Sequence, residues 1–151
     1  MVHRSFWRDH LPEIIMALAN VFAVGLGMGV PVFAILLGFP VGWWLVRRFQ
    51  RAAGPAGLDP ATGLRQLLVW GAGLAGVTLL LALVIWSPQV PNAFDPGFDA
   101  VEFGIPLILY TSQASMIGWL VLMIVVSPVL QWMAALTGGA LALVTTPRAK
   151  R

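Results

Sequence analysis

From Gln66 to Phe94 the chain runs 29 residues without a charged side chain, and from Phe103 to Pro147 it runs another 45. A third uncharged stretch, Ile14–Val46, has 33. Only about 20 apolar residues are needed for a helix to cross ~30 Å of hydrocarbon. Charged residues make up 10% of the 151-residue chain and hydrophobic ones 59%, with a mean hydropathy of +0.87. Soluble domains carry roughly 25% charge, and fifteen charges cannot cover the surface of a compact water-soluble monomer of this length. The composition therefore predicts an all-α integral membrane protein: a small polytopic helix bundle forming a single membrane domain over 1–151. The bilayer is its first partner.

Other classes are excluded by what the chain lacks. It has no cysteine, hence no disulfide and no thiolate chemistry. Neither Asn20 nor Asn92 opens a glycosylation sequon. The pI near 10.7 comes from short basic stretches flanking apolar ones. That is the pattern of cytoplasmic loops of membrane proteins, not the clustered basic face of a nucleic-acid binder, so no nucleic-acid partner is expected. The first apolar stretch is too long for a signal-peptide core and ends at arginines, so it reads as retained membrane structure. The excess of arginine over lysine and the wealth of Ala, Gly and Leu fit a bacterial inner membrane protein.

One motif argues for a different fold. Gly71-x-Gly73-x-x-Gly76 follows an apolar run, as a dinucleotide-binding strand–turn–helix does. That unit also needs a second strand and an acidic residue about twenty positions on. Here Ser87-Pro88 follows, and the next acid, Asp95, lies in a loop with Pro and Gly. In lipid, closely spaced small residues serve helix packing. Gly71, Ala72, Ala75 and Gly76 read that way, as do Gly25, Gly27 and Gly29.

Charge and proline divide the chain. The clearest span is 66–87, with Trp70 and Trp86 near its ends. The segment 14–46 reads as a broken helix or hairpin, with a break at Gly25–Pro31 and a further one at Phe39-Pro40. Ser127-Pro128 splits the last stretch into a span at 104–126 and a shorter membrane-associated or transmembrane helix at 129–146. Arg47, Arg48, Arg51 and Arg65 place the 47–65 loop in the cytoplasm, and the basic tail 147–151 places the C-terminus there too. Asp95, Asp99 and Glu102, with no nearby Lys or Arg, place 88–103 outside. About four spans satisfy these constraints, within a range of three to five. A faint internal echo pairs Gly29-Val-Pro31 and Gly42-Trp43 with Gly104-Ile-Pro106 and Gly118-Trp119.

Chemistry inside a bilayer would need ionisable residues there, and the spans hold none. Asp9, His10 and Glu13 sit together at the N-terminal boundary, but Pro12 interrupts their helical register. No catalytic, cofactor-binding or metal-ligating set is expected. The deep polar residues are Asn20, Thr78, Gln131 and the run Tyr110, Thr111, Ser112, Gln113 and Ser115. Such groups are costly in lipid unless paired, so they read as interhelical contacts or as the lining of a pathway. The function expected is a non-catalytic structural or accessory subunit of a bacterial membrane assembly, partnered by other membrane subunits or by its own copies. The alternative is a small oligomeric channel or transporter, with its pathway near 25–31 and 110–115.

Overall fold

The computed structural model describes residues 3–26, 32–54, 57–105 and 109–145, with side-chain detail from Leu11 onward except at 13 and 24–26. The described chain is predominantly helical, with no strand among the described residues, as the composition predicts. Helix α1 spans His3–Leu26, α2 Val32–Ala52 and α3 Pro60–Trp86. A 3-10 helix, Ser87–Phe94, continues directly from α3. Then come α4 (Ser112–Val121), a π-helical turn (Leu122–Val126) and α5 (Ser127–Thr145). Three helical segments are long and apolar enough to cross a membrane: Val32–Ala52, Pro60–Phe94 and Ser112–Thr145. The apolar part of α1, Ile14–Ala23, is shorter.

The 14–46 stretch is divided between α1 and α2, and residues 27–31 between them, including Gly27 and Gly29, lie outside those described. Neither Pro12 nor Pro40 breaks a helix; both sit inside one. A proline removes a single i→i−4 hydrogen bond, and the turns on either side hold the helix together. The glycine motif lies in the middle of α3, which runs unbroken from Pro60, so no strand–turn–helix exists there. Helix α3 starts six residues before the expected 66, because Asp59 caps it and Pro60 occupies its first turn.

The largest correction falls on the last stretch. Ser127-Pro128 does not divide it into two spans; Ser112–Thr145 is one 34-residue helix. The proline has no N–H and its ring crowds the preceding turn. The chain absorbs this by widening to a π-turn, in which the Ser127 N–H bonds to the Leu122 carbonyl. The Ser127 hydroxyl then donates to the Met123 carbonyl at 3.0 Å. The helix also begins at Ser112 rather than 104, since 101–104 is a turn and Gly104 needs the left-handed φ of +85°.

Helices α2 and α5 run parallel. Gly38 lies against Gln131, Gly42 against Ala135, and Val46 shares a buried cluster with Ala142 and Leu67. Helix α3 runs antiparallel to them: Gly63 meets Leu143, Leu67 meets Gly139, Gly71 meets Trp132, and Trp86 meets Trp119. The arginine-bearing end of α2, the start of α3 and the end of α5 therefore share one end of the bundle. There Arg47 lies over the Trp43 ring at 5.3 Å and Arg48 over Trp44 at 5.5 Å, pairs one helical turn apart. The acidic 87–105 segment forms the opposite end.

The surface is inverted relative to a water-soluble domain. Phe33 on α2, Val69, Leu80 and Val84 on α3 and Val125 on the π-turn are all more than half exposed. Many other large apolar side chains along these helices are exposed too. Contiguous apolar surface on this scale fits hydrocarbon and not water.

Candidate functional site

Three polar side chains are almost wholly buried where α1, α3 and α5 meet: Asn20 is 1% exposed, Thr78 1% and Gln131 0%. The Asn20 amide nitrogen donates to Thr78 Oγ1 at 3.0 Å, and Gln131 Nε2 donates to Asn20 Oδ1 at 2.6 Å. The Thr78 hydroxyl also faces Asn20 Oδ1 at 3.4 Å. Each uncharged stretch thus contributes one deep polar residue, and the three stretches are joined through Asn20. All three groups are neutral, so the cluster can orient helices by hydrogen bonding but carries no ionisable proton. Gln131 Oε1 has no donor among the described residues. The signal in the sequence was the isolation of each polar residue in an apolar stretch; that the three meet follows only from the helix register.

The polar run 110–115 is arranged differently, at the start of α4. Thr111 is the N-cap, its hydroxyl accepting from the Ala114 N–H at 3.2 Å. Ser115 closes a local ring: its hydroxyl donates to the Leu109 carbonyl at 3.2 Å and accepts from the Leu109 N–H at 3.0 Å. The Gln113 amide donates to the Asp95 carbonyl at 3.3 Å. Ser112 opens the helix, and Tyr110 is fully exposed. These bonds cap a helix and tie it to the 87–105 segment; they do not line a helix–helix seam.

The packing glycines are sorted by the structure. A Cβ at Gly71 would lie 2.9 Å from the Trp132 ring, whereas at Gly76 or Gly73 it would meet nothing within 4 Å. Gly25 lies near the end of α1, and its surroundings fall outside the described side chains. The tightest contacts occur at glycines the motif reading passed over. A Cβ at Gly38 would strike the Gln131 carbonyl, at Gly42 the Ala135 backbone, and at Gly138 the Phe39 carbonyl. Gly38-Phe-Pro-Val-Gly42 is the small-xxx-small spacing that lets helix backbones approach, so the signal was present. Of the internal echo, Gly29, Pro31 and Pro106 lie outside the described residues; Gly42 is pressed against backbone, while Gly118 has only Leu109 near it among the described residues, at 3.8 Å. The side chains of Asp9, His10 and Glu13 lie outside the described residues.

The acidic end has a core of its own. Ala93, Ala100 and Ile105 are buried with Trp86, Met116 and Trp119. Asp95 accepts the Gly97 N–H and Asp99 the Val101 N–H, both at 2.8 Å. The Ile105 N–H returns to the Ala100 carbonyl at 2.8 Å. Cavities lie beside this bundle among the described residues. An apolar groove of about 240 Å³ lies between α3 and α5, lined by Ala72, Gly76, Val129 and Trp132 among others. A cavity of about 370 Å³ opens at the acidic end beside Trp86, Gln89, Phe103 and Trp119. No family profile matches this chain, and neither does any curated protein or solved structure.

Proposed function

We propose that the protein is a non-catalytic structural or accessory subunit of a bacterial inner-membrane assembly. The observation that carries this reading is the Asn20–Thr78–Gln131 cluster. Three of the most deeply buried polar side chains of the described bundle hydrogen-bond to one another across three helices, which fits a scaffold more readily than a reaction centre. The broad apolar exterior and the open face of α3 at Gly73 and Gly76 leave room for neighbouring membrane subunits or further copies.

In this reading the arginine-bearing end, with the 47–65 connection and the C-terminus, faces the cytoplasm, following the positive-inside tendency. The 87–105 segment lies outside. Helices α2, α3 and α4–α5 then cross the bilayer in alternating directions. With α1 as a fourth, shorter crossing, both termini are cytoplasmic.

Purification in mild detergent tests the proposal. Partners recovered in fixed stoichiometry are the expected result, and recovery solely as a homo-oligomer argues against an accessory subunit. Flux through liposomes, with Gln113→Leu and Ser115→Ala as comparison variants, tests the channel alternative. Flux of an ion or small solute that these variants reduce would replace the present reading.

A further inference from the structure

The acidic end of the bundle holds a cavity built from aromatic rings. Trp86 and Trp119 are 7% and 6% exposed and meet edge to face, with ring centroids 6.4 Å apart. Phe103, half exposed, stands at the rim and is braced by Phe98 at 5.5 Å. Gln89, Gly104 and Ile105 complete the lining of a space of about 370 Å³, which falls at the small end of the usual range for small-molecule sites. The 3-10 helix and the 100–105 turn that shape it are fixed by backbone hydrogen bonds, so the rings are held before any ligand arrives.

The charged residues of this stretch have one sign. Asp95, Asp99 and Glu102 lie in the segment that forms the rim, Glu102 immediately before Phe103. No Lys, Arg or His occurs anywhere between Arg65 and Arg148. Aromatic faces present negative quadrupole density, and several rings around one space recognise quaternary or alkyl ammonium groups. Glu102, adjacent in sequence to the lining residue Phe103, adds a negative charge whose attraction for a cation is screened over about 8–10 Å. The opposite end carries the arginines, and its tryptophans Trp43 and Trp44 are already covered by Arg47 and Arg48. A free cation is therefore drawn to the Trp86–Trp119 end and not to the other.

We propose that the cavity bounded by Trp86, Trp119 and Phe103 binds an alkylammonium group, as a free organic cation or as the headgroup of an aminophospholipid. Choline and its uncharged isostere 3,3-dimethyl-1-butanol separate this from simple filling of an apolar hole. The full chain in non-ionic detergent is titrated with each, following intrinsic fluorescence and melting temperature. Saturable choline binding at least tenfold tighter than that of the isostere is expected. Glu102→Gln, a change at an exposed side chain, is expected to weaken choline several-fold and leave the isostere unaffected. Trp119→Phe keeps a ring in place and tests the cage itself; it is expected to weaken choline while the protein stays folded by its melting curve. Equal affinity for the two compounds, or no saturable response to choline at millimolar concentration, overturns the proposal. Extraction from mixed phosphatidylethanolamine and phosphatidylglycerol vesicles, followed by lipid analysis, distinguishes the sources. Enrichment of phosphatidylethanolamine assigns the headgroup, and choline binding without enrichment assigns a free cation.

Discussion

Helices α2 and α5 meet through glycine against backbone, whereas α3 meets its neighbours through larger side chains, and two of its central glycines have no described atom within reach of an added Cβ. On the α2–α5 seam, Gly38, Gly42 and Gly138 sit where a single added carbon would strike a main-chain carbonyl. On α3, a Cβ at Gly73 or at Gly76, which lines the groove beside α5, would meet none of the described atoms within 4 Å, although their spacing advertises packing just as loudly. Spacing of small residues establishes only that a close approach can be made. Which partner makes it depends on the register of the neighbouring helix. The bundle therefore has one seam closed by backbone contact and one helix held by larger side chains, caps and a polar cluster.

The sharpest way to break this contrast is one substitution made at two glycines. Gly42→Ala places a methyl group into the Ala135 carbonyl, and neither helix backbone can yield locally. The α2–α5 seam must open along its length, at a cost of about 3 kcal/mol by analogy with overpacked cores. Reversible unfolding in mixed micelles measures it. A loss below about 0.5 kcal/mol, the usual range for surface changes, would mean that the seam is looser than its geometry indicates. Gly76→Ala meets nothing and removes a flexible residue from a helix interior. It is expected to be neutral or to stabilise by up to about 1 kcal/mol. A loss of assembly with stability retained would show that a partner occupies this face.

The polar cluster comes second in magnitude. Asn20→Ala removes the residue that both Thr78 and Gln131 address, leaving two buried polar groups unpaired. A loss of about 1–2 kcal/mol is expected, between the water-soluble range and the smaller values found in membranes. Replacing all three by apolar residues (Asn20→Leu, Thr78→Val, Gln131→Leu) is expected to cost less than Asn20→Ala alone, because no orphan remains. A triple variant less stable than the single one would give the cluster a role beyond satisfying itself.

Much of the helical framework was legible in the sequence because it rests on hydropathy and charge, which act locally. The uncharged stretches, the helical state of Gly71–Gly76 and the separation of basic from acidic segments all follow from them. What could not be read required knowledge of neighbours. Pro128 looked like a terminator, since a lone proline removes a hydrogen bond; the π-turn before it and the Ser127 hydroxyl restore the geometry without ending the helix. The 110–115 run looked like a lining because its polarity was conspicuous, but its partners, Leu109 and Asp95, belong to a turn that no periodicity announces. The glycines that matter most on α2 were obscured by Pro40 between them, which drew the reading toward a break.

The smallest expected effect concerns how α3 begins. A helix with so much exposed surface depends more on its own ends than α2 does. Asp59 accepts the Thr62 N–H and the Thr62 hydroxyl, each at 3.0 Å, and Pro60 supplies the first turn. The Thr62 backbone N–H, then its hydroxyl, hold the Asp59 carboxyl below its ordinary value. A depressed carboxylate pKa stabilises the folded state above the unfolded value, near 3.9 for aspartate, and that contribution is lost as pH falls through the folded value. The melting temperature of the wild type should therefore decline slightly more steeply below about pH 4 than that of Asp59→Asn, which keeps a capping oxygen but does not titrate. The side chain is fully exposed, so solvent screens the effect and added salt should shrink it further. Parallel acid profiles for the two proteins would mean that the Asp59 charge adds nothing to the cap.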